Sequence, residues 1–301
     1  MIFKALAIVF FTLLPLSALA APSLIPSNLS SGRFVFSYTL LKKTTIHSID
    51  MSSGEISELA PSKTKALSPQ WSPDGTRVSF QAISEDNSHI YIVNDDGSKL
   101  QKISKPGMQP SWDRTGNVIY FASPDKNGVI QIYQLDLLSK KHKQLSKSKH
   151  NLINPVLSPR KDYLAVISSA HWPGADLGLL NLSKKSFHLL STSRHPMSSP
   201  TWSPDSSGVS FAVELGGESD IWHLAKGDVE AKRLTSLPGR EYDACWSRDM
   251  RRLFFVAEPN PGSGLFQIYM QDMKTSEVSQ LTTGPGSIRH ISFTDLPKLT
   301  R

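Results

Sequence analysis

A tryptophan-centred motif recurs along the chain and constrains its fold more than any other feature. PQWSPDG spans Pro69–Gly75, PSWDRTG spans Pro110–Gly116 and PTWSPDS spans Pro200–Ser206. Weaker copies are PVLSPR at Pro155–Arg160, ACWSRD at Ala244–Asp249 and HISF at His290–Phe293. Measured at Trp71, Trp112, Leu157, Trp202, Trp246 and Phe293, the separations are 41, 45, 45, 44 and 47 residues. A period of this length is the signature of propeller blades or of another repeat array.

Each period reads as four short strands. The first ends at the Trp. The following Ser-Pro-Asp-Gly type of turn uses Pro to fix φ, Asp to bond its own backbone and Gly to accept positive φ. An alternating strand follows, as at Val118–Ala122, and then one with an aromatic signature: Ile90-Tyr91, Ile132-Tyr133, Ile221-Trp222 and Ile268-Tyr269. Fourth strands end at Leu59, Ile103, Leu145, Leu190, Leu234 and Leu281. Six such ends give six blades.

Arg33 to Leu59 supplies a blade lacking its first strand, and Ile288 to Phe293 supplies a first strand with nothing after it. The expected fold is therefore an all-β, six-bladed propeller of four-stranded blades, closed by the C-terminal strand joining the N-terminal blade. Closure removes the sheet edges a linear array would expose. The domain spans residues 33–301, preceded by a short segment at 21–32. The repeated Trp residues are expected to pack between blades, and Asp74, Asp113, Asp205 and Asp249 to form turns rather than a metal cage.

Residues 1–20 read as a signal peptide. Lys4 gives the positive start, Ala5–Leu16 the apolar stretch, and Ala18-Leu19-Ala20 the small-x-small cleavage site. No Cys follows that could carry a lipid. The mature chain is expected in the periplasm, with no transmembrane segment. Cys245 is the only cysteine, so packing rather than an internal disulfide must hold the fold. Losing Lys4 with the leader lowers the formal net charge from +7 to +6. That mild excess favours acidic partners and lacks the basic runs of a nucleic-acid-binding tail.

WSPDG at Trp71–Gly75, WSPD at Trp202–Asp205, the Ile-Tyr strands and the Leu-Thr ends at Leu234-Thr235 and Leu281-Thr282 resemble the WD40-like repeats of the TolB family. That family belongs to the bacterial Tol-Pal envelope system. The resemblance implies a monomeric scaffold that binds a protein in the cell envelope, with a Pal-like lipoprotein as a partner. It also carries a departure: TolB proteins have an α/β domain before the propeller, mediating contact with TolA, where this sequence has only Ala21–Gly32. The same repeats occur in some polysaccharide lyases and peptidase-associated propellers, so fold alone does not assign function.

The connections from fourth strands to the next first strands should ring one mouth of the channel. They carry Lys63, Lys65, Lys105, Lys147, Lys149, Arg194, Arg240 and Arg289 against Glu241 and Asp243. A basic inner ring follows, within a more acidic outer set of loops at Glu85, Asp86, Asp125, Asp176, Glu214, Glu218 and Glu258. Such a mouth would draw an acidic protein patch or an anionic glycan. Trp172 lies outside the repeat positions, in a loop on the same face, where an exposed Trp would be a contact hot spot. His150, His195 and His290 also fall near the mouth, and three converging His could bind a metal. With no paired-His motif or evident carboxylate ligand, no catalytic residue, metal or cofactor is expected; a His-based lyase or hydrolase is the alternative, and a non-catalytic anionic-glycan binder the third reading.

Overall fold

The computed structural model describes residues 22–25, 29, 31–60, 65–84, 87–160, 163–171 and 174–298. The proposed leader, Lys63, Glu85, Asp86 and Trp172 lie outside these residues. Six four-stranded antiparallel sheets follow one another around an axis. Blade 1 takes its inner strand from the C-terminus, Ser287–Thr294, followed outward by Arg33–Leu40, Lys43–Asp50 and Ile56–Ala60. Inner strands of blades 2 to 6 are Lys65–Trp71, Met108–Trp112, Leu152–Leu157, Met197–Trp202 and Glu241–Trp246. Among the described residues there is no helix, hence none long and apolar enough to cross a membrane.

Ring closure rests on direct pairing of the chain's two ends. Phe34 pairs with Phe293 and Arg33 with Thr294, and the register then shifts at a bulge before Ser37 meets Arg289. Phe34, Phe254 and Phe293 pack mutually at this seam, with centroids 4.5 to 5.0 Å apart. Gly32 permits that approach: a Cβ there would stand 2.4 Å from Phe293 Cζ, and φ is +100°. The segment before blade 1 is itself ordered in part. Ser23–Leu24 pairs with Thr282–Thr283, and Leu29 is buried in the core of the seam.

The apolar cores lie between blades, which is why the Trp positions matter. Val35 and Ile46 of blade 1 pack with Trp71, Val78 and Phe80 of blade 2, and equivalent clusters recur around the ring. Trp112 Nε1 donates to the Gln70 carbonyl at 3.1 Å and Trp202 Nε1 to Val156 at 3.0 Å, so each indole stitches its blade to the one before. Full burial of each large apolar side chain contributes about 1.5–3 kcal/mol. The four repeated Asp residues form local turns as expected. Asp113, for example, accepts from the backbone N–H of Thr115, Asn117 and Val118.

Two of the seams carry a further clamp. Arg33 lies over the Trp71 ring at 4.5 Å and donates to the Gly75 carbonyl at 2.7 Å. Arg77 does the same one blade on, over Trp112 at 4.9 Å and to Gly116 at 2.8 Å. Each Arg opens the second strand of its blade, Arg77 standing six residues after Trp71.

Candidate functional site

The inner strands share a bulge that builds the channel wall. In every blade the ladder skips two residues, the first standing three positions before the Trp, Leu or Phe. Those first residues are Ser68, Gln109, Asn154, Ser199, Asp243 and His290, all with φ between 51° and 55°. A bulged residue leaves the ladder and bends its strand. Repetition around the axis places one such side chain from each blade on a central cavity of about 340 Å³.

The ring is chemically uneven. Gln109 Oε1 accepts from Asn154 N at 2.9 Å, and Ser199 Oγ donates to Asp243 Oδ1 at 2.6 Å. Asp243 Oδ2 accepts from His290 N at 2.8 Å and from Arg289 Nε at 2.7 Å. Burial alone would raise the Asp243 pKa, but Arg289, His290 and these hydrogen bonds outweigh it and hold the carboxyl well below its ordinary range. His290 is shifted down, mainly by burial, and its Nδ1 has no hydrogen-bond partner. Cys245, also on the cavity wall, has its thiol pushed up by burial, which suits an inert group.

Beside this ring the cations stack on aromatic rings. Arg289 lies over Tyr242 at 4.4 Å and over Phe266 at 4.9 Å, and Arg240 lies over Phe266 at 5.5 Å. Arg240 is engaged by Glu258 at 2.7 Å. Glu258 in turn accepts from Gly262 and Gly264, and the Arg240 hydrogen bond draws its pKa down to about 2. Arg240 and Arg289 are thus paired cations.

The remaining expected mouth residues divide. Lys65, Lys147, Lys149, His150, Arg194 and His195 are exposed on or next to the connectors. His150 and His195 occupy matching turns, each with its N–H on the Ser hydroxyl two residues earlier. His290 sits four residues further along its strand than their offset, on the channel itself. Lys105 falls within the fourth strand of blade 2, Gln101–Pro106. Asp176 and Glu258, expected in the acidic outer loops, are buried instead, Asp176 Oδ2 in hydrogen-bond contact with His171 Nδ1 at 2.8 Å. Among the described residues no three His, Cys, Asp or Glu side chains gather as a metal cage.

Sequence alone does not single out this ring, although Asp243 falls on a connector and His290 near the mouth. Its signal was present: in four blades a Pro stands two positions before the Trp or Leu, and the ring residue precedes that Pro. Asp243-Ala244 and His290-Ile291 lack the Pro, which hid the equivalence.

Blade number, inter-blade Trp packing and the bulged channel ring define a propeller of the Pro-Asp repeat class. The chain belongs to the TolB beta propeller domain family, which matches residues 16–199. A TolB homolog of Chlorobium luteolum is 27% identical over 127 residues, covering 41% of this chain and 28% of that protein. The match therefore spans well under two thirds of that relative. TolB from Acinetobacter baumannii superposes with a TM-score of 0.75 at 17% identity, covering 91% of this chain and 68% of the other. An oligogalacturonate lyase in complex with manganese gives 0.59 at 12% identity, covering 82% and 73%. At such identities the likeness is one of fold.

Proposed function

We propose that this chain is a non-catalytic, protein-binding propeller of the bacterial cell envelope, exported through a cleaved leader and acting in the periplasm as a monomer. Its partner docks at the connector face, over the channel ring, and a Pal-like envelope lipoprotein is the leading candidate. The observation that carries this reading is the state of the ring's one carboxylate: Asp243 is saturated by Arg289, Ser199 and the His290 backbone. It is built to hold neighbouring blades in place, and it is not poised to move a proton. Around it lie hydrogen-bonding side chains of four kinds, a lining suited to recognising polar groups of a protein surface. Family membership and the leader-like N-terminus point the same way.

The His-based enzyme reading keeps one specific observation, the unpartnered His290 Nδ1 on the channel. Two measurements separate the readings. Mature chain, immobilised and exposed to periplasmic extract, should capture one envelope protein at low salt and release it at high salt, because exposed charges are screened beyond about 10 Å at 0.1 M. Bound Mn, Zn or Ni near one equivalent after chelator-free purification, lost in a His150→Ala, His195→Ala, His290→Ala variant, would replace the scaffold reading with the enzymatic one.

A further inference from the structure

The seams between blades are not equivalent: two carry an Arg clamp, and the seam between blades 4 and 5 holds a cleft instead. Where Arg33 covers Trp71 and Arg77 covers Trp112, both indoles are buried, 7% exposed. At the seam between blades 4 and 5 the position corresponding to those arginines is Tyr163, and Trp202 is only half-buried. The guanidinium that bridges the indole and the turn carbonyl at those two seams is missing here. A cleft of about 340 Å³ occupies the place, on the face of the propeller opposite the mouth.

The cleft is graded along its depth. Trp202, Leu179, Leu190 and Leu224 form its apolar walls. At its outer end stand the turns that carry Arg160, Ser206 and Lys226. Arg160 and Lys226 are exposed. Ser206, at φ +63°, holds its hydroxyl buried with no hydrogen-bond partner in the protein. Leaving a buried hydroxyl unpaired is costly, so a ligand that accepts from it is favoured. Asp205 is the lining's one carboxylate among the described residues, and it is engaged by the Ser207 N–H at 2.9 Å. Two cations against one occupied carboxylate leave the outer end favourable to an anion.

We propose that this cleft is a binding site for a small amphipathic carboxylate. The apolar body lies along Trp202 and the leucines, and the carboxylate accepts from Ser206 Oγ between Arg160 and Lys226. Taking about 30 Å³ per water-sized unit, the cleft admits on the order of ten heavy atoms, at the small end of ligand pockets. The cleft shares Trp202 with the channel wall but none of the six ring residues, and its test does not involve the docking partner.

Octanoate is the probe, titrated calorimetrically into the mature chain, with octylammonium as the charge control. One saturable site for octanoate, and at least tenfold weaker binding of octylammonium, is the expected result. Tyr163→Arg should rebuild the clamp over Trp202 and abolish binding while keeping a cooperative melt. Lys226→Glu, at an exposed position, should weaken octanoate at least fivefold and carries the test alone if Tyr163→Arg does not fold. No saturable octanoate binding, equal binding of octylammonium, or unchanged affinity in Lys226→Glu would each overturn the assignment.

Discussion

Arg289 Nε donates to Asp243 Oδ2 at 2.7 Å across the seam between blades 6 and 1, and the carboxylate is almost wholly buried. This pair ties the inner strand supplied by the C-terminus to its neighbour, so the residues at the mouth also secure the closure of the ring. Removing one partner of a buried pair strands the other charge. Arg289→Met should therefore cost about 2–3 kcal/mol at pH 7, below the usual range because Ser199 and His290 N still serve the carboxylate. The sign with pH follows from the depressed pKa of Asp243: its contribution is present above the ordinary aspartate value of about 3.9 and fades as pH falls below it. Thermal melts of wild type and variant should differ clearly at pH 7 and converge toward pH 3. A constant difference across that range would show that the Arg acts by packing alone.

Glu241 makes the opposite prediction. It is fully buried, on the blade 6 inner strand at a position that is Ala66, Gly107, Leu152, Met197 and Ile288 in other blades. Burial pushes its pKa up to about 7, against the pull of hydrogen bonds from Thr235 Oγ1 and Leu237 N. At equivalent hydroxyls in blades 3 and 6 the acceptor is an amide, Gln131 for Ser146 and Gln267 for Thr282. Between about pH 4.3 and 7 the folded chain holds a proton the unfolded chain has released, so stability falls as pH rises. The full loss is about 4 kcal/mol. Glu241→Gln should match wild type at pH 4.5 and exceed it at pH 8 by denaturant titration. Equal stability at both pH values would mean that Glu241 ionises normally in the fold.

The two seam arginines should differ in weight. Arg77 offers a stacked cation and one hydrogen bond to a carbonyl, and Arg77→Met should cost about 1–2 kcal/mol. Arg33 adds a buried ion pair with Asp95 at 3.2 Å, both side chains 4% exposed. Arg33→Met should cost about 3 kcal/mol or more. Urea midpoints at constant slope would measure both. Equal costs would show that the carbonyl bond, which the two share, dominates the clamp.

How much of this was legible in advance follows from what repeats. Trp71, Trp112, Trp202 and Trp246 recur because each must fill the same inter-blade volume, so spacing alone exposed the blade count and the closure by Ser287–Thr294. The clamps at Arg33 and Arg77 recur only twice, and Tyr163 and Gly208 break the series; no period announces them. Arg240 and Arg289 read as free mouth charges because their partners, Glu258 and Asp243, are 18 and 46 residues away. Charge counting along connectors cannot see a pairing made to another loop of the same blade, as at Arg240, or across a seam, as at Arg289. The leader and Trp172 lie outside the described residues, and their proposed roles rest on sequence.

These pairings change which charges should steer a partner. Lys149 and Arg194 stand at the same offset, eight residues before Leu157 and Trp202, on neighbouring connectors. Both are exposed, and neither has an ion pair within 4.0 Å among the described residues. Arg240 is committed to Glu258, whose side chain is 0% exposed. Exposed charges at a docking mouth act on the association rate, whereas breaking a buried pair acts on the fold. Lys149→Glu with Arg194→Glu should therefore leave the melting curve within about 0.5 kcal/mol of wild type. The same variant should slow association with the captured envelope protein about tenfold at low salt and flatten its salt dependence. Arg240→Glu sets a second carboxylate beside Glu258 and should destabilise the chain by about 3–5 kcal/mol, so any binding it loses would report unfolding. Surface-plasmon association rates from 20 to 300 mM salt provide the check. If the double reversal leaves both rate and slope unchanged, the partner docks away from this quadrant of the connector face.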